Sequence, residues 1–171
     1  MDCIKMVVTM NPCPCGFYPD MNRCTCTPGD INRYLGKISQ PFLDRMDLCV
    51  HVEPLSYEEL KENRGESTSA QMRRAVQKAQ KLQQERYQGQ KIRFNSELSV
   101  KEVQEYCHLT REAEQLLAQA FAQLKLSARA YHGIIKTART IADLEGAELI
   151  GSAHISEAVC LRSADKKIWR L

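Results

Sequence analysis

A chain of 171 residues that is 43% hydrophobic, 26% charged and 6% aromatic has the makeup of a globular protein of one domain or one and a half, which excludes disordered and fibrous classes. No run approaches the roughly 20 apolar residues of a membrane helix, and the N-terminus has neither the basic nor the apolar region of a secretory signal, so a cytoplasmic protein with no membrane partner is expected. The formal charge of +3 is unevenly spread: Ala70–Phe94 holds seven basic residues against the single acid Glu85, a local +6 that leaves the remainder at −3.

The elements follow in chain order. Ile4–Met10 is short, β-branched and bounded by Asn11-Pro12, which predicts a buried strand that begins almost at the first residue. Asn11–Pro28 is rich in Pro, Cys, Gly, Asp and Asn and reads as loop. Thr27 before Pro28 and Asp30 has the form of an N-cap with proline at the first helical position, opening a helix to about Leu35. A short helical turn is expected over Ser39–Arg45. Asp47–Glu53 alternates Leu48, Val50 and Val52 with Cys49, His51 and Glu53, the period of a strand with one buried face, and Pro54 closes it. Beyond this point the pattern is helical. Ser56 with Glu59 forms a capping box, Arg64–Ser69 a linker, and Ala70 to about Tyr87 a long basic helix. Ser99 with Glu102 is a second box; Thr110 and Ser127 cap two further helices, Gly146 stops the second of them, and Ser152 opens the last. The helices from Ser99 onward read as a small bundle.

Four features carry chemistry, each with a plainer reading beside it. Asn11 stands at the carboxyl end of the first strand, where ligands bind in open α/β sheets, and Pro12 holds it extended; asparagine is equally a turn former. Arg129 falls in the first turn of its helix, where a cation opposes the macrodipole by roughly 0.3–1 kcal/mol unless an anion sits beside it. It reads as a phosphate clamp or as a surface arginine. Arg45, between Asp44 and Asp47, is either locally ion-paired or presented to a neighbouring subunit's nucleotide. The stripe that includes Arg73, Arg74, Lys78 and Lys81 is the footprint of a nucleic-acid contact or a solvated helix face.

The eight cysteines read as metal ligands or free thiols in a reducing compartment. Cys13-Pro14-Cys15 and Cys24-Thr25-Cys26 give C-x-C…C-x-C across a turn-forming loop. Four thiolates suit tetrahedral Zn2+, although the pairs of such sites are more often two or more residues apart. Reduced, unligated thiols are the alternative. Cys3, Cys49, Cys107 and Cys160 are scattered and read as small core residues.

Met10-Asn11-Pro12-Cys13-Pro14-Cys15-Gly16, then Cys24-Thr25-Cys26-Thr27-Pro28, Pro41-Phe42-Leu43-Asp44-Arg45-Met46-Asp47-Leu48, Leu126-Ser127-Ala128-Arg129-Ala130-Tyr131-His132 and Ala138-Arg139-Thr140-Ile141-Ala142-Asp143-Leu144 together resemble the ComM (YifB) branch of the magnesium-chelatase-like AAA+ ATPases. Order and spacing agree over essentially the whole chain. The resemblance implies an α/β fragment, the last strands of an AAA+ P-loop core, followed by an all-α lid. Residues 1–55 would be the core portion with the cysteine loop (13–26), residues 56–98 a connecting segment with the basic helix, and residues 99–171 the lid. It assigns Asn11 to sensor 1, which positions water and the γ-phosphate, Arg45 to the arginine finger, and Arg129 to sensor 2. It implies ATP and Mg2+ as ligands of the full-length enzyme, a hexameric ring of like subunits, and DNA as the partner of a branch-migration helicase active in natural transformation. Relatives in the same family insert magnesium into porphyrins.

The sequence departs from that family in three places. Gln40 stands where glycine is usual, and Gly133 where arginine usually follows the Tyr-His pair. No G-x-x-x-x-G-K-[ST] occurs, nor a strand ending in paired acids. In the family these parts lie upstream of the segment matched here, so the chain alone is expected not to hydrolyse ATP. A non-catalytic nucleic-acid-binding or regulatory fragment and a chelatase motor subunit are the competing functional readings.

Overall fold

The computed structural model describes residues 6–61 and 68–169. They form two compact units, one holding the residues up to Arg45 with those from Asp165 on, the other Met46–Ala164.

The first unit is built around the cysteine loop and α1, Pro28–Leu35. Thr27 caps α1 as expected: its side chain accepts the Asp30 N–H at 3.2 Å, while its own N–H donates to the Asp30 carboxylate at 3.2 Å. Two orphan donors of the first turn are thereby satisfied. Ile31 and Leu35, four apart on one helical face, turn inward. The expected turn after Ser39 is the single-turn helix α2, Gln40–Leu43.

Neither predicted strand is observed, and the expected α/β part of the fold gives way to helix and irregular chain. Ile4 and Lys5 lie outside the described residues, and among those described Met6–Met10 form no β pairing; Val7 is 91% exposed. Leu48, Val50 and Val52 alternate as strand residues do, yet each is exposed. A strand is held by a partner's hydrogen-bond ladder and by side chains packed on its own face. Among the described residues the only β pairing is the isolated parallel bridge Leu109–Ile150. With no neighbouring strand among the described residues, the β-branched pattern of these two runs has no ladder to organise it.

The second unit is helical: α3 (Tyr57–Lys61), α4 (Ser69–Arg86), a 3-10 turn at Asn95–Glu97, α5 (Val100–Tyr106), α6 (Arg111–Leu124), α7 (Ala128–Glu145) and, as far as Ala164, α8 (Ser152–Trp169). The Glu59 side chain of the expected Ser56 box, and most of the Arg64–Ser69 linker, lie outside the described residues. α4 is capped instead by Thr68 with Gln71. Ser99, Thr110 and Ser127 each cap the helix assigned to them, and Gly146 ends α7 at φ +79°, a left-handed conformation that glycine adopts without steric cost.

α7 is the central element, packed against α4, the 3-10 turn and α5. Its inner face buries Ala142 and carries Ile134, Ile135, Ala138 and Ile141, which meet Val103, Leu117, Ile150 and Ile155 in one core. Burying each large aliphatic side chain stabilises the unit by roughly 1.5–3 kcal/mol. The Ile150 backbone pairs with His108 and Thr110, tying the turn before α8 to the turn before α6.

Candidate functional site

The four clustered cysteines come together. Their Sγ atoms all lie within 4.8 Å of one another, with Cys13–Cys15 at 3.3 Å, Cys15–Cys24 at 3.5 Å and Cys13–Cys24 at 3.8 Å. The loop achieves this with two reversals. Gly16 N–H closes a turn onto the Cys13 carbonyl at 3.1 Å, and Cys24 N–H reaches back to the Asp20 carbonyl at 2.8 Å, with Asp20 also accepting from Asn22 N–H. Gly16 sits at φ +85°, which is why glycine stands at that corner. The backbone donates into the cluster as well, Tyr18 N–H pointing at Cys13 Sγ at 3.4 Å.

The electrostatics of the cluster are divided. Backbone donation from Phe17 leads the causes that draw Cys15 down to about 6. For Cys26, donation from the Cys15 backbone favours the thiolate, but burial and hydrogen bonds with Cys15 and Cys13 push it up to about 12. Adjacent thiols cannot all ionise unless a cation neutralises them, and four thiolates without a carboxylate or imidazole form the donor set of a soft or borderline divalent ion.

Asn11 lies beside this loop. It is exposed, and its Nδ2 and Cγ atoms stand 3.5 and 3.7 Å from the place a Cβ on Gly16 would occupy. Arg45, also exposed, donates from Nη1 to the Pro41 carbonyl at 2.6 Å and so satisfies the end of α2. Both belong to the first unit, whereas Arg129 belongs to the second.

Arg129 is exposed in the first turn of α7, which contains no acid, with Ser127 Oγ accepting the Ala130 N–H at 3.2 Å. His132 follows one turn later on the same face, and its buried Nδ1 has no hydrogen-bond partner. Lys136 is the next cation on that face; burial lowers its pKa, and its Nζ donates to the Ser96 carbonyl at 3.1 Å. Between them lies Gly133. A Cβ there would stand 3.2 Å from Arg162 Nη1, so the glycine leaves room for an arginine delivered from α8. The same nitrogen donates to the Met46 carbonyl at 3.0 Å, and Cys49 N–H donates to the Leu161 carbonyl at 2.7 Å.

On α4, Arg73, Arg74, Lys78 and Lys81 are all exposed. Two have local company. Lys78 Nζ approaches Gly146 at the C-terminus of α7, where the helix dipole favours a cation, and Lys81 is 3.9 Å from Glu85.

Sequence reasoning missed a buried polar cluster. Asp143 is fully buried and accepts from both Arg86 Nη atoms, from Arg139 Nε at 3.1 Å and from Asn95 Nδ2 at 2.8 Å. Arg139, 1% exposed, also donates to the Glu148 and Ala147 carbonyls just beyond α7. Asn95 is used fully: Oδ1 accepts from Tyr87 and Arg86, Nδ2 donates to Thr140 as well as Asp143, and its backbone N–H donates to Gln83. This cluster joins the end of α4, the 3-10 turn and α7. The available signal was positional, since Arg139 and Asp143 fall among Ile135, Ala138 and Ala142 on the inward stripe of α7.

A family model described as magnesium chelatase, subunit ChlI, matches residues 3–60, and one for the ChlI C-terminal region matches residues 66–162. The chain is 40% identical over 169 residues to the competence protein ComM of Haemophilus influenzae, covering 98% of this chain and 32% of that protein. It is 35% identical to the uncharacterized protein YifB of Salmonella typhimurium over 169 residues and to that of Escherichia coli over 170, again covering 98% of this chain and 32% of each relative. The chain thus spans about a third of the length of these curated relatives.

Proposed function

Since the chain belongs to the magnesium chelatase ChlI family, we propose that it supplies the sensing and lid parts of an AAA+ ATPase ring whose ATP hydrolysis remodels DNA. In this reading residues 1–55 are the end of the nucleotide-binding core, 56–98 the connection and 99–171 the lid. Asn11 faces attacking water and γ-phosphate, Arg129 contacts the same nucleotide from the lid, and Arg45 reaches the nucleotide of the adjacent subunit. ATP and Mg2+ bind to parts that the 171 residues do not carry, so the chain alone hydrolyses no ATP. The cysteine loop holds Zn2+.

The observation that supports this best is Arg129 in the acid-free first turn of α7. A guanidinium there opposes the helix dipole in isolation and becomes favourable when a phosphate joins it. The DNA part rests on similarity to a protein named for competence and on the exposed basic face of α4.

The test is a chimera in which this chain replaces the matching third of the Haemophilus ComM. DNA-stimulated ATP hydrolysis is expected, with a roughly hundredfold loss on Arg129→Ala, Arg45→Ala or Asn11→Ala, the scale of removing one transition-state donor. Mixing Arg45→Ala subunits with unaltered ones should poison hydrolysis at neighbouring sites, as an arginine supplied in trans requires. Hydrolysis undiminished by the three substitutions overturns the assignment.

A further inference from the structure

Among the described residues the first unit buries few apolar side chains. These are Cys13, Ile31, Leu35 and Leu43, with Cys15, Tyr18, Cys24, Cys26 and Tyr34 partly buried around the first three. A core of this size gives only marginal hydrophobic stabilisation, and a bound metal is a common source of the missing folding free energy in small units.

The cluster fits zinc by geometry. Tetrahedral coordination at about 2.3 Å places sulfurs about 3.8 Å apart, against the 3.3, 3.5 and 3.8 Å found. Four protein ligands close the coordination shell, which makes the site structural rather than catalytic. The Tyr18 N–H aimed at Cys13 Sγ is the outer hydrogen bond such a thiolate uses.

What the metal would hold is Asn11. Only Pro12 separates Asn11 from ligand Cys13; its ring fixes one backbone angle and confines Asn11 to extended geometry. The Cys13–Gly16 turn then folds back so that Gly16's bare Cα faces the Asn11 amide. From this juxtaposition we infer that a zinc ion on Cys13, Cys15, Cys24 and Cys26 fixes the Asn11 side chain, and that releasing the metal frees Asn11 and opens the loop while the helical unit stays folded. Its consequence for nucleotide sensing rests on the role proposed above for Asn11; the metal-to-Asn11 linkage does not.

The 171-residue chain is sufficient for the test. Metal analysis should find one zinc per chain, and Co2+ substitution should give the intense thiolate charge-transfer and tetrahedral d–d bands of a four-sulfur site. Stripping the metal should accelerate amide exchange over residues 13–35 by roughly tenfold or more, with residues 128–145 unchanged. The Asn11 side-chain amide resonances should move to random-coil positions at the same time. Gly16→Ala, which adds a methyl at the Asn11 contact, should keep the zinc and still shift those resonances. A chain that binds no zinc overturns the inference, as does equal exchange with and without metal, or an Asn11 signal that ignores the metal. Should the linkage hold while Asn11→Ala leaves the chimera's hydrolysis intact, the sensor assignment fails and the metal linkage stands.

Discussion

Replacing Asp143 with asparagine changes one atom and keeps the shape of the side chain, which makes it the sharpest probe of the helical unit. In the native unit the carboxylate carries the negative charge that faces Arg86 and Arg139, and it accepts four hydrogen bonds from three residues. The substitution leaves Arg139, 1% exposed, without this counter-ion, and puts an NH2 group where one carboxylate oxygen accepted. Removing one partner of a buried pair costs about 3–5 kcal/mol. For a unit of this size that lowers the melting temperature by roughly 10–20 °C. Urea unfolding followed by helical circular dichroism reads the loss directly. The pH dependence gives a second readout. Burial opposes ionisation of Asp143, but hydrogen bonds from Arg86 and Asn95 and the charges of both arginines hold its pKa below the usual value. Its contribution is therefore complete above about pH 4, the unfolded value, and is lost as pH falls through the lower native value. Asp143→Asn should remove that part of the acid slope. Arg139→Met with Asp143→Leu, which removes both buried charges, should be less damaging than either alone. A single variant within about 1 kcal/mol of the parent, with its acid slope intact, refutes the reasoning.

Three further outcomes follow from particular residues. Gly133→Leu drives a side chain into the space of the Arg162 guanidinium, 3.2 Å from the would-be Cβ; a loss of about 1–3 kcal/mol is expected in denaturant unfolding, and no loss would mean that Arg162 is not seated there. Gly146→Val forces a β-branched residue to φ +79° and should destabilise by roughly 1–2 kcal/mol, against little effect for the exposed neighbour Leu144→Ala. Alanine at Arg73, Arg74, Lys78 and Lys81 together should weaken DNA binding by roughly tenfold or more in fluorescence anisotropy, and should flatten the salt dependence by about 0.9 for each phosphate that is no longer neutralised. The Arg73 and Arg74 pair should account for more of it than Lys78 and Lys81, which already have neighbours in the fold. Unchanged binding returns α4 to an ordinary solvated face.

What the sequence makes legible depends on how local the cause is. The caps of α1, α5, α6 and α7 depend on residues three apart, and each is found where the spacing puts it. The C-x-C pairs are similarly local, and their loop closes through turns of a few residues. Strands fail this test, because Val7 or Val50 has the right side chain and no ladder to join. The buried charges fail for a different reason. Arg139 and Asp143 are polar by type and core by position; Arg139 bonds within nine residues, but only the convergence of α4, the 3-10 turn and α7 brings Asp143 its partners Asn95 and Arg86 from 48 and 57 residues away in sequence. The assigned residues divide along the same line. Asn11 is held by Pro12 and Gly16 within one short loop, so its surroundings follow from adjacent residues. Arg129 and Arg45 are exposed at the ends of helices, and under the proposed function the groups they would meet are a phosphate and a neighbouring subunit. The roles proposed for them therefore have to be measured in a complete assembly, whereas the metal linkage inferred for the turn around Asn11 can be measured in this chain alone.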